Sequence, residues 1–166
     1  MTLRSIALLF LACWLGAAVF FSGVVAPAAF SVLRAYQIPN TNEIAGAIVN
    51  RSLSIINVSG VVIGLVCLVF TFLGRLRYER WAFFVQTAAL VIVTVLCAVG
   101  HWIIAARMRA IRAALSLPID QIAIDDPSRV AFAALHRYSV LTLAVAMIAA
   151  MIAGLLLTRS GTTNQI

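Results

Sequence analysis

Four stretches of this chain contain no charged residue: 29 residues from Ser5 to Leu33, 23 from Ser52 to Gly74, 26 from Trp81 to Ala106 and 21 from Tyr138 to Thr158. Each exceeds the roughly 18 apolar residues that a membrane-crossing helix requires. A bilayer core offers no water to backbone N–H and C=O groups, so runs of this length must be helices that satisfy those groups internally. The sequence therefore predicts an all-α fold, an integral membrane four-helix bundle. It reads as a single transmembrane domain over residues 1–166, with spans at about 5–33, 52–74, 81–106 and 138–158. A soluble fold is excluded: 64% of the residues are hydrophobic and 10% charged, against roughly 45–50% and about 25% in soluble domains.

The start, Met1-Thr2-Leu3-Arg4 before an apolar run, imitates a secretory signal. That run is about twice the usual 7–15 residues and lacks a small-residue cleavage site with a polar continuation, which predicts a retained first helix. All twelve basic residues are arginine, against five acids, for a net charge of +7. In a soluble chain this balance would suggest a nucleic-acid partner. Here the arginines bracket the spans and read as boundary anchors whose stems snorkel toward headgroups, so the expected partners are membrane lipids and not nucleic acid. The expected location is the cell membrane, a bacterial inner membrane. The side of the termini and the short turn holds Arg4, Arg75, Arg77, Arg80 and Arg159; the other holds Arg34, Arg51, Arg107, Arg109, Arg112, Arg129 and Arg137. Three arginines packed into one seven-residue turn favour cytoplasmic termini.

The connections are unequal. Spans two and three are joined by a tight turn, Gly74-Arg75-Leu76-Arg77-Tyr78-Glu79-Arg80. The other two are longer and carry helix-start signals. Asn40 with Glu43 three residues on resembles a capping box, and Asp126-Pro127 sets an N-cap before a proline at the first helical position. Helix two is expected to begin near Thr41 and helix four near Pro127, while helix three continues through Arg112 and stops before Ser116-Leu117-Pro118. Helices 2–4 then extend beyond the bilayer on one side, two to three turns each, forming a polar head opposite a flat face.

Within the spans, Gly60 and Gly64 form a G-x-x-x-G, and Ala146, Ala150 and Gly154 repeat every four residues. Such stripes let helix backbones approach, within the bundle first and also as faces for a homo- or hetero-oligomer. Pro27 should kink the first helix or mark its exit from the membrane. Cys13, Cys67 and Cys97 fall in separate spans with no C-x-x-C pair, which disfavours a redox relay and predicts three buried small hydrophobes. Asn57 and Gln86, the polar side chains farthest inside, are expected to hydrogen-bond between helices.

Counting residues from the flat face brings Pro27, Asn50, Arg51, His101, His136 and Arg137 to one layer about 30–33 Å along the bundle. Polar residues and arginines belong at a membrane boundary in any case. The same layer is also a candidate binding layer made of Asn50, Arg51, His101, His136 and Arg137. His101 and His136 could ligate a metal such as copper, or one haem, or an anionic group, with Arg51 and Arg137 supplying charge. Met108 lies seven residues beyond His101, on roughly the same helix face, and is a soft side chain of the kind a copper site would want. No C-x-x-C-H haem attachment motif is present.

Glu43, Glu79, Asp120, Asp125 and Asp126 all lie outside the spans, which disfavours proton-coupled export resting on an intramembrane carboxylate. No serine–histidine, H-E-x-x-H, P-loop or paired-carboxylate arrangement occurs, so no enzyme chemistry is expected. The expected role is that of an accessory or binding protein. A metal- or haem-binding protein and a small-solute transporter are the alternatives.

Trp14-Leu15-Gly16, Phe20, Gly23 and the run from Ala26-Pro27 to Phe30 carry a family resemblance, joined by Ala45-Gly46, the cluster from Arg107-Met108 to Arg112, Phe132, Leu135-His136 and Ser139. On these residues the chain resembles the four-helix membrane family known as domain of unknown function 4149, which is related to transmembrane protein 205. Gly23 stands one position off the family's glycine-to-proline spacing. Where that pattern has a glycine after the histidine and an asparagine a turn later, this chain has Arg137 and Leu141-Thr142-Leu143. The resemblance implies a multi-pass membrane protein with no established activity. A more distant likeness to copper-resistance membrane domains implies the same metal alternative.

Overall fold

The computed structural model describes residues 2–159, leaving out the side chains of Arg77, Asp120 and Arg159. Residue 1 and residues 160–166 of the expected domain lie outside that range. Four long helices account for most of it: α1 (Leu3–Ala35), α2 (Thr41–Leu73) and α3 (Arg80–Ala114), then α4 (Pro127–Arg159). Short 3₁₀ turns at Arg75–Arg77 and Ile119–Gln121 sit in the connections. All four helices are long and apolar enough to cross a membrane. At 33 residues, α1 or α2 is about 50 Å long, against a hydrocarbon core of about 30 Å. α1 is thus as long as the helices expected to project.

Each helix buries a stripe at alternating spacings of three and four: Ala7, Leu11, Trp14, Ala18 and Phe21 on α1; Asn57, Gly60, Gly64, Cys67 and Thr71 on α2; Gln86, Leu90, Val93, Cys97 and Gly100 on α3; Ser139, Leu143, Ala146, Ala150, Ala153 and Leu157 on α4. A seven-residue repeat of this kind is the geometry of left-handed bundle packing. α2 packs on α1 and α3, and α4 packs on α3 and α1, so the chain runs up, down, up, down around one core. Large apolar residues on the outer faces, such as Val62, Val69, Phe84 and Leu155, stay exposed. These are the faces that lipid would cover.

The helix-start signals give the right boundaries by one expected and one unexpected route. The Asp126 carboxylate accepts a hydrogen bond from the Ser128 backbone N–H at 2.7 Å, capping α4 as read. Asn40 does not form the capping box. Its backbone is left-handed (φ 55°) with no side-chain cap bond, and its side chain meets the Gln121 amide at 3.5 Å. Asparagine tolerates that conformation better than most residues, so Asn40 starts α2 by turning the chain.

Pro27 does not end α1. Immediately before it the helix widens into a π turn, Phe21–Val25, in which the Ala26 N–H reaches the Phe21 carbonyl. The widened turn takes up the disturbance of a residue with no N–H donor, and the helix runs on to Ala35. Cysteine burial also differs from expectation: Cys67 and Cys97 are buried, whereas Cys13 is exposed. Cys13 falls between Leu11 and Trp14 on α1, off the buried stripe.

The G-x-x-x-G of α2 is used inside the molecule. A Cβ on Gly60 would stand 2.6 Å from Cys97 Sγ and 2.9 Å from the Trp14 ring, and one on Gly64 would stand 2.3 Å from Thr94 Oγ1. The Trp14 indole N–H donates to the Ile56 carbonyl at 2.9 Å, fixing the ring against α2. At the flat end, the Arg4 guanidinium donates to the Leu157 carbonyl, a cation placed where the last carbonyls of α4 gather partial negative charge. Burial raises the pKa of the nearby Tyr78 phenol, against the opposing pull of the Arg4 charge and a hydrogen bond with Thr71.

Candidate functional site

At the end of the bundle expected to form the head, one residue touches three helices. Arg112, on the last turn of α3, places Nη1 3.6 Å from Glu43 Oε1 and 3.5 Å from the Glu43 carbonyl. Its guanidinium carbon lies 5.4 Å from the centroid of the Phe132 ring on α4, a cation–π arrangement. Nη2 packs where a Cβ on Gly46 would be 3.0 Å away. One guanidinium thus joins α2, α3 and α4, and it packs closely over Gly46. A pocket lined by Glu43, Arg112, Ser116, Pro118 and Ile119 opens beside it.

Sequence reading gave Arg112 no special standing, because an arginine beside an apolar span looks like an anchor. Gly46, Arg112 and Phe132 all belong to the residues that carry the family resemblance. Their appearing together in that set was the available signal.

Truncation tests the clamp. Arg112→Ala is expected to cost about 1–2 kcal/mol, combining a partly exposed ion pair with a cation–π contact. The loss should be local. Hydrogen exchange should speed up at the start of α2 and the end of α3, while amides around Gly60 and Val93 keep their protection. Unchanged exchange at Glu43–Asn50 would show that the clamp contributes nothing.

His101 sits in a second π turn, Val99–Ile104, a form often found at functional positions. Its ring is half-buried, with Nδ1 3.1 Å from Ser54 Oγ on α2 and the Trp102 ring edge-on at 4.8 Å. Asn57 packs close to Gly100 one turn deeper. His136 is exposed on α4, as are Arg51 and Arg137, and Asn50 is half-buried.

The register of the antiparallel helices gives their levels. Arg112 meets Phe132, which brings His136 level with Met108, seven residues or about 10 Å along α3 from His101. Asn50, Arg51, His136 and Arg137 therefore share a level with Arg107, while His101 lies deeper, opposite Ser54. The structure does not bring the two imidazoles together. Among the described residues no group of three or more His, Cys, Asp or Glu side chains could hold a metal ion.

Gln86 departs from its expected role. It is 0% exposed, and neither its amide nitrogen nor its amide oxygen has a hydrogen-bond partner among the described residues; the Thr87 hydroxyl is also unpaired. The Thr71 hydroxyl, at the same level on α2, donates back to the Cys67 carbonyl of its own helix.

No curated protein and no solved structure matches the chain. Residues 9–116, well over half of it, match the family described as Domain of unknown function (DUF4149). That stretch holds Trp14, Gly46, Gly60, Gly64, His101 and Arg112, the residues that seat α1 on α2 and α2 on α3. With those contacts and the family match in agreement, the chain belongs to the DUF4149 family.

Proposed function

We propose that this protein is a non-enzymatic accessory or binding protein of the membrane, whose head serves as a docking platform for a partner protein. One observation carries the reading. Apolar side chains stand exposed on the head, beyond the spans: Ile124 at 79%, Tyr36 at 76% and Val130 at 53%. On lipid-facing helix surfaces such exposure is ordinary, but on a part projecting into water it marks an interaction surface. The Arg112 clamp supports the same reading, since it holds three helix ends in one shape. Close contacts at Gly60 and Gly64 fill the space between α2 and α3, which favours binding over solute passage.

Photo-crosslinking in native membranes tests this. A photoreactive residue at position 124 or 130 should give a discrete protein adduct, and one at position 62 or 69 on the outer face should give lipid adducts only. Head positions that yield no protein adduct would overturn the proposal.

A further inference from the structure

We infer that a recess on the outer face of α2 is a binding site for one phospholipid, held by an acyl chain, an ester carbonyl and the phosphate. The recess, about 460 Å³, is lined by Ser54, Ile55, Val58, Ser59, Val62 and Ile63. Two serines among β-branched neighbours create it. The Ser59 hydroxyl bonds back to the Ile56 carbonyl of its own helix at 3.0 Å, so it leaves space without a polar demand. From Ser54 to Ile63 the recess runs about 14 Å toward the middle of the bilayer, as an acyl chain does.

The headward end is polar. Ser54 Oγ lies 3.1 Å from His101 Nδ1, and neither side chain has another hydrogen-bond partner among the described residues. Hydroxyl and imidazole carry at least two protons between them, of which one bond uses one. Whichever tautomer is present, the pair keeps an O–H or N–H to donate. Ser54 is 19 residues before Leu73, about 28 Å along α2, so a hydrocarbon core of about 30 Å starting at the flat face ends beside it. A donor at that depth meets the ester carbonyls, the first acceptors of a lipid outside the hydrocarbon.

Arg51 supplies the charge. It is exposed and stands three and four residues before Ser54 and Ile55, hence one turn above the recess on the same helix face. Helix side chains lean toward the N-terminus, which on α2 is the headgroup side. The acids lie elsewhere. Glu43, about 12 Å along α2 from Arg51, is paired with Arg112. Asp126 caps α4, and Asp120 and Asp125 belong to the same connection, whose Gln121 meets α2 at Asn40, eleven residues from Arg51. Glu79, at the flat face, accepts from the Trp81 indole. A neutral amphiphile would use the recess and the donor but not the guanidinium, whereas a phospholipid engages all three. The site does not depend on whether the head also engages a protein.

Quenching of Trp102 fluorescence tests the site. That indole is 57% exposed, with its ring beside His101; Trp81→Phe removes the flat-face indole, and buried Trp14 is a constant contribution. The full chain is reconstituted in diether phosphatidylcholine vesicles holding a minor fraction of chain-brominated diester phosphatidylcholine, diether phosphatidylcholine or diacylglycerol. The brominated diester should show a relative binding constant roughly fivefold above the brominated diether, the scale of one net hydrogen bond, and should also exceed the diacylglycerol. Ser54→Ala with His101→Phe should bring the diester-to-diether ratio to about one. Arg51→Gln should keep that ratio and remove the preference over diacylglycerol. Ser59→Leu, which fills the recess and takes away only a bond within α2, should remove both. Equal quenching by diester and diether, a preference that survives the Ser54 and His101 double substitution, or diacylglycerol binding as tightly as the phospholipid would each overturn the assignment, the last in favour of a neutral amphiphile.

Discussion

Gly60→Ala is expected to destabilise the bundle by about 2 kcal/mol, the scale of overpacking in a tight core. The added methyl would meet Cys97 Sγ at 2.6 Å and the Trp14 ring at 2.9 Å. Cys97 can turn to another rotamer, but the indole is tied to the Ile56 carbonyl and cannot yield without losing that bond. Gly64→Ala brings a methyl even closer to a neighbour, 2.3 Å from Thr94 Oγ1, yet should cost less. Thr94 can rotate at the expense of its bond to the Leu90 carbonyl. Reversible unfolding in mixed micelles, run as two double-mutant cycles, separates the cases. Thr94→Ala should restore most of what Gly64→Ala loses, whereas Cys97→Ala should restore only part of the Gly60→Ala loss. Full rescue by Cys97→Ala would show that the Trp14 contact is not the limiting one.

Gln86→Met is expected to act in the opposite direction, raising stability by about 1–3 kcal/mol. A buried polar group without a partner costs about that much, and methionine fills a similar volume with no polar atom at stake. The same unfolding measurement gives the answer by its sign. A loss of stability in the methionine variant would mean that the amide is satisfied by an internal water, which commonly pairs such groups. Thr71→Val would then shift stability together with Gln86→Met, because the two residues share a level.

The spans and most helix limits were legible because they follow from one strong constraint. Charge is excluded from hydrocarbon, so the arginines mark the edges, and Pro127 and Ser116-Leu117-Pro118 mark where helices start and stop. The packing face was legible for Gly60 and Gly64, since glycine in a helix interior needs a reason. Three things were not legible. Asn40 looks like a side-chain cap, and only its backbone angle reveals that it turns the chain instead. Arg112 resembles its neighbours Arg107 and Arg109 until Gly46 and Phe132 are known to face it. The depth count put His101 with His136 because it assumed a common starting level for four helices, which the contacts between neighbouring helices correct by about two turns.

The two π turns give this chain unequal tolerance of changes in length. A π turn is one residue more than an α-helix needs, so losing a residue there leaves the helix regular and the faces beyond it unmoved. Across Val99–Ile104 such a loss would disturb only the setting of His101. Across Phe21–Val25 it would return Pro27 to an unrelieved α-helix, where the ring collides with the carbonyl four residues back. Register in this bundle is therefore negotiable on α3 and locked by a proline on α1.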